Sequence, residues 1–188
     1  RHDGADLQGN WGPLVARRAE LESLESDWAS LAEQGGRLVV VEGPVGIGKS
    51  HLVASFVEEL GPEAFVVTGE SSTDPPVPMA PFQQIVRAQA QRVRRLPSGA
   101  QRRILEILSE AADGLVGVLA ESFPRLATLV DREASAGEAA DGHVPEAMSE
   151  LLIRLARAAG PMVLWLEDID RLDDASRRVL RRLCERLE

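Results

Sequence analysis

The sequence predicts an α/β domain, a parallel sheet with helices on its faces and a helical insertion, cut off after the second acid-bearing strand and the helix that follows it. Three observations predict it. Residues 37 to 42, RLVVVE, are a β-branched apolar run of the kind that forms a buried parallel strand. Residues 162 to 168, MVLWLED, are a second such run, ending in two carboxylates. Between and around these runs the apolar residues recur at helical spacing, and strands alternating with helices make a parallel sheet.

Taken in order, Leu21, Leu24, Trp28 and Leu31 form one apolar stripe and predict a helix over 17–33. The strand at 37–42 follows, then a glycine-rich loop. Leu52, Val53, Phe56, Val57 and Leu60 then predict a helix over 50–60, stopped by Gly61 and Pro62. A strand is expected at 64–68. Residues 70 to 81, ESSTDPPVPMAP, are too rich in proline for regular structure and predict a loop. Phe82, Ile85, Val86 and Val93 suggest one helix, and Ile104, Leu105 and Leu108 a second. Residues 131–143, DREASAGEAADGH, are small, polar and acidic, and read as a mobile loop. Val144, Met148, Leu151, Leu152 and Leu155 predict the helix that leads into a strand at 162–166, and a last helix is expected over 174–187. The 118 residues that separate Lys49 from Glu167 exceed a plain crossover, so a helical insertion is expected over about 70–160. Residues 1–10 read as a flexible N-terminal leader, and 11–188 as the front part of one domain.

Composition narrows the function. With 30 acidic residues against 21 basic ones and a net charge of −9, the chain is poorly suited to wrap nucleic acid or anionic lipid, so no direct nucleic-acid contact is expected. No apolar run reaches the roughly 18 to 20 residues of a membrane helix, and no membrane partner is expected. Cys184 is the single cysteine, which excludes an internal disulfide and fits a reduced, cytoplasmic compartment. His2, His51 and His143 lack ligand spacing, so the one metal expected is nucleotide-bound Mg²⁺. Nor does Ser50, followed by His51, belong to a nucleophile's base-and-acid arrangement.

Lys49 is the only lysine among the 21 basic residues. It stands in Gly43-Pro44-Val45-Gly46-Ile47-Gly48-Lys49-Ser50, the spacing G-x-x-x-x-G-K-[ST] of a phosphate-binding loop, between a strand and the start of a helix. Glycines let successive N–H groups turn inward toward phosphates, and the following helix presents its positive dipole end to the same charge. A compact ammonium reaches the β and γ phosphates where a guanidinium fork would not fit. Ser50 would offer its hydroxyl to Mg²⁺. Nucleotide contacts are therefore expected from Gly43 through Ser50, with His51 next in the helix. Acids at the end of a parallel strand face the ligand edge of the sheet. Glu167 is accordingly expected to help hold Mg²⁺, and Asp168 to orient or deprotonate the attacking water.

Three stretches resemble the P-loop ATPases of the STAND branch, related to AAA+ proteins and found in LuxR-type bacterial regulators and in some multidomain cyclases and kinases. They are Leu14 to Leu21, similar to an opening motif V-G-R-E-x-E-L, the phosphate loop, and Leu164 to Asp173, similar to L-x-L-E-D-L-H-W-A-D. The resemblance implies a P-loop NTPase parallel sheet with flanking helices, and Arg17 near the base or sugar of ATP. Ala16 and Arg18 depart from the Gly and Glu of the opening motif, so either arginine could serve. Asp170-Arg171-Leu172 replaces His-Trp-Ala in the third stretch, while Asp173 keeps its final acid and is expected, with Asp174, to cap the next helix. Arg177, Arg178, Arg181, Arg182 and Arg186 either reach a neighbouring subunit's phosphates or pair with nearby acids.

The function this implies is an ATP-binding, slowly hydrolysing switch domain of a large cytoplasmic signalling protein, above all a LuxR-family transcriptional regulator. The alternatives are the regulatory ATPase module of an adenylate cyclase or Ser/Thr kinase, or a scaffold that uses no nucleotide. Its partners would be ATP with Mg²⁺, further domains of the same polypeptide and, if it assembles, other copies of itself.

Overall fold

The computed structural model describes residues 16–61, 64–71, 77–130 and 143–187. The expected leader at 1–10, residues 72–76 of the proline-rich stretch and 131–142 of the acidic stretch lie outside them. Two helices come first, α1 over Arg18–Gln34 and α2 over Lys49–Leu60. Strand β1, Phe65–Glu70, leads into the helical insertion: α3 over Ala80–Arg95, α4 over Ser98–Ala111, α5 over Val116–Leu119, α6 over Pro124–Val130 and α7 over Val144–Ala159. Strand β2, Met162–Glu167, a 3-10 turn at Ile169–Arg171 and α8, Asp174–Cys184, close the order.

The two strands pair in parallel, Phe65 beside Met162 through Glu70 beside Glu167, so both chains end at one edge with a glutamate. α3 lies against β1. The fit is close enough that a Cβ on Gly69 would come within 2.6 Å of the Pro81 carbonyl oxygen. Phe82, Leu119, Phe123, Met148 and Val179 are almost wholly buried and join α3, the insertion, α7 and α8 into one core. Arg154 on α7 donates to the Asp113 carbonyl at 2.9 Å, which ties that helix to the residues just past α4. α1 and α2 pack on each other through Trp28 and Phe56, edge to face with ring centres 6.4 Å apart.

Four expectations need correction. No strand forms over 37–42: Leu38, Val39 and Val40 are 61%, 44% and 52% exposed. A β-branched run becomes a buried strand only when a neighbour takes its backbone groups, and the sheet of the described residues contains only β1 and β2. β2 is half-buried along its whole length instead of buried; among the described residues β1 is its one strand neighbour. The proline-rich segment is shorter than 70–81. Glu70 belongs to β1, and Ala80 and Pro81 open α3, where proline's missing N–H costs nothing. Finally, α8 ends at Cys184 and not at 187. Among the described residues no helix is long and apolar enough to cross a membrane.

Candidate functional site

The phosphate loop is shaped by its glycines. Gly46 and Gly48 take φ of 81° and 94°, in the left-handed region that a side chain resists, and a Cβ on either would meet nothing within 4 Å. The space around them is thus open, and the backbone conformation is what requires glycine. Gly48 stands at the N-cap of α2, which has no side-chain cap. The first-turn N–H groups of that helix, those of Lys49 and Ser50 among them, keep their dipole end available to an acceptor. Val45, at the loop's tip, is fully exposed.

Lys49 donates from Nζ to the carbonyls of Gly43 at 2.8 Å and Pro44 at 3.2 Å, so its ammonium arches back over the loop. Arg17 approaches from the other side and donates from Nη2 to the Ile47 carbonyl at 3.3 Å. Its Nη1 pairs with Glu20 Oε1 at 2.8 Å, and this bond holds the Glu20 carboxyl below the ordinary range. Arg18 points elsewhere, to Glu22 at 2.8 Å. Of the two arginines left open by the sequence, Arg17 is the one beside the loop. His51 follows Ser50 in the first turn of α2.

The acid-bearing end of β2 lies in the sheet. The Glu167 carbonyl accepts from the Ser71 N–H and hydroxyl, both at 3.4 Å, and its side chain is half-buried. Asp168 is exposed and turns the chain through a left-handed conformation, φ 51° and ψ 48°, a region that aspartate enters more readily than most residues. Its carbonyl accepts the Arg171 N–H at 2.9 Å and starts the 3-10 turn. Among the described residues no hydrogen bond or ion pair joins Lys49 or Ser50 to Glu167 or Asp168; each half of the site is held by its own neighbours.

Sequence reasoning missed Glu70. Parallel register sets it beside Glu167, and its N–H is fixed by Gln84 Oε1 at 2.9 Å. Its position at the end of the first apolar strand was the available signal. Asp173 has the fullest set of bonds. Its Oδ1 accepts from the Ala175 and Ser176 N–H groups at 3.0 and 3.1 Å, and its Oδ2 from the Ser176 hydroxyl at 2.6 Å and the Met79 N–H at 3.0 Å. Burial pushes this carboxyl up, but the bonds from Ser176, Met79 and Ala175 outweigh it and hold the group below the usual carboxylate range. Asp174 does not cap; it pairs with Arg177 at 3.0 Å. Arg182 on the same helix and Arg186 just past its end face Glu146 and Glu150 at 4.0 and 3.9 Å.

The family model described as AAA ATPase domain matches residues 13–188. The chain belongs to the AAA ATPase domain family. This membership suggests the P-loop α/β fold, with which the helices and the small parallel sheet agree, and it implies use of a nucleotide, usually with Mg²⁺. The chain is also 22% identical over 179 residues to the hybrid signal transduction histidine kinase G of Dictyostelium discoideum. That match covers 92% of this chain and 5% of the relative's length. No solved structure matches the chain.

The residues present suit such a ligand. An uncapped helix start, open glycines and a single ammonium are the groups that receive a phosphate chain. Described residues hold no cluster of three His, Cys, Asp or Glu. Mg²⁺ keeps several waters and is bound through one or two protein oxygens together with the phosphates of its nucleotide.

Proposed function

We propose that this chain is the ATP-binding, slowly hydrolysing switch domain of a larger cytoplasmic signalling protein, and specifically of a LuxR-type transcriptional regulator in the STAND branch. The observation that carries the reading is the glycine loop at the uncapped start of α2, with the chain's one lysine folded over it. In this reading, the N–H groups from Gly46 to Ser50 and the Lys49 ammonium bind the β and γ phosphates. Arg17 meets the base or sugar. Mg²⁺, when bound, neutralises charge developing on the phosphates. Ser50 and Glu167 hold that ion, and Asp168 orients the attacking water and takes up its proton. Loss of the γ-phosphate frees Lys49 to return to the Gly43 and Pro44 carbonyls, which changes the loop and with it the contact to Arg17 on the approach to α1.

The test is nucleotide binding and phosphate release by the full-length protein, with ATP and GTP, beside Lys49→Ala and Asp168→Asn. Binding of ATP that Lys49→Ala weakens at least roughly 30-fold, with turnover lost in Asp168→Asn, supports the switch. A folded protein that binds neither nucleotide overturns it in favour of a scaffold that uses none. Because the relative is a hybrid histidine kinase, a second reading makes this the regulatory ATPase module of a kinase or cyclase. A helix-turn-helix in the flanking sequence favours the regulator, and a kinase or cyclase signature the second reading.

A further inference from the structure

A groove of about 330 Å³ lies where α5, α7 and α8 meet, and no residue of the phosphate loop, nor Glu167 or Asp168, lines it. Its size is at the lower end of the roughly 300 to 1,000 Å³ of small-molecule clefts. Leu115 and Val118 of the α5 turn and Ile153 of α7 give it an apolar wall. Ser149 of α7, which also lines it, is 3% exposed; its Oγ donates to the Pro145 carbonyl at 2.7 Å and lies 3.4 Å from the Val179 carbonyl of α8. The two helices are therefore in close contact at the base of the groove.

Four charges share this groove, one turn apart on each side: Glu146 and Glu150 on α7, and Arg182 on α8 with Arg186 just past its end. They cancel in sum, yet they do not satisfy one another. Arg182 stops 4.0 Å from Glu146 Oε1 and Arg186 3.9 Å from Glu150 Oε2, both beyond hydrogen-bond range. Arg17, Arg18 and Arg154, by contrast, bond their glutamates at 2.8 to 2.9 Å. Arg154 thereby anchors Glu150 through Oε1. Glu146 has no such anchor: its Oε2 is the buried side-chain oxygen that, among the described residues, has no hydrogen-bond partner. A buried carboxylate oxygen without a donor is costly, so this atom calls for one.

We propose that this groove binds a free α-amino acid with an apolar side chain, its ammonium on Glu146 Oε2 and its carboxylate on the guanidinium groups of Arg182 and Arg186. A ligand of one sign alone would face two like charges here, whereas a zwitterion meets a complement at each end. One carbon separates the ammonium of an α-amino acid from its carboxylate, which suits a glutamate and an arginine that stand 4.0 Å apart without bonding. Charge-assisted bonds then form on both groups, and the guanidinium fork fits a carboxylate. The side chain lies against Leu115, Val118 and Ile153. Such a ligand joins α7, which enters β2, to α8, which follows it.

Titration calorimetry of the full-length protein without nucleotide tests this, with L-leucine and L-phenylalanine as probes, each beside its N-acetyl form, its amide and its dipeptide. At least one free amino acid is expected to bind with a Kd of about 1 mM or tighter. Its N-acetyl form, without the ammonium, and its amide, without the carboxylate, bind at least roughly tenfold more weakly. Glu146→Gln, and Arg182→Ala with Arg186→Ala, each weaken the amino acid by a similar factor. Glu146→Gln should leave the melting midpoint of the ligand-free protein unchanged or raised, because its Oε2 has no bond to lose; a lowered midpoint marks a structural glutamate and overturns the assignment. Val118→Trp fills the groove while keeping all four charges, and abolishes binding; it carries the test should circular dichroism show that the arginine variant loses its helices. A folded protein that binds neither amino acid overturns the proposal. So do blocked forms or a dipeptide that bind as tightly as the free amino acid, and variants that bind like the native chain.

Discussion

Two helix starts in this molecule face opposite ways chemically. α8 begins at Asp173, in the extended conformation usual for a cap, with its carboxylate accepting two first-turn N–H groups, a hydroxyl and the distant Met79 N–H. α2 begins at Gly48, left-handed and without a side-chain cap. One start is satisfied from within and fastens α8 to α3; the other keeps its positive end for a ligand. The lack of a side-chain cap is shared with α1, α3, α4, α5 and α7, so what marks α2 is the left-handed glycine at its start, required only by its backbone angle, with Lys49 folded over the loop before it.

The largest effect expected from breaking the contrast is at the filled start. Asp173→Ala removes a cap and orphans the N–H of buried Met79, and should destabilise the fold by about 2–4 kcal/mol in urea unfolding. At the open start, Lys49→Ala should leave stability near native but weaken ATP by about 2–3 kcal/mol, roughly 30- to 150-fold in Kd by calorimetry. An equal loss of stability in both variants would erase the distinction. Gly69→Ala, elsewhere in the sheet, should cost about 1–3 kcal/mol because its methyl meets the backbone of Pro81. Gly48→Ala meets no atom within 4 Å, so only its left-handed φ resists, at about 1–2 kcal/mol.

Acid should sharpen the comparison by the smallest margin. The folded Asp173 carboxyl lies below its unfolded value of about 3.9, so its contribution is complete above that pH and is lost as pH falls through the folded value. The stability difference between native protein and Asp173→Asn should therefore be constant from pH 7 to about 5 and shrink below about 4. A difference that grows in acid would contradict the assigned bonds.

Much of this was readable from residues close together in the chain. α1, α2, α3, α4 and α7 followed from their apolar stripes and stop signals, and the cap at Asp173 from an acid before a helical run. What escaped depends on distant partners. Asp173 and Met79 are 94 positions apart, and nothing local to either marks the bond. Glu70 acquires its neighbour Glu167 only through parallel register. RLVVVE has the composition of a buried strand, yet Leu38, Val39 and Val40 remain exposed, since strand formation needs a neighbour that no property of the run itself supplies.

By itself the sequence determined α1, α2, α3, α4, α7 and α8, the phosphate loop and the identity of its ammonium, because periodicity, glycine's backbone freedom and the chemistry of a lone lysine act over a few residues. Tertiary structure alone decided that Arg17 and not Arg18 reaches the loop, that among the described residues β2 pairs with β1 only, and that Asp173 ties the start of α8 to Met79 before α3. Direction and proximity across the fold come from packing and pairing between distant segments, and a linear pattern holds no measure of either.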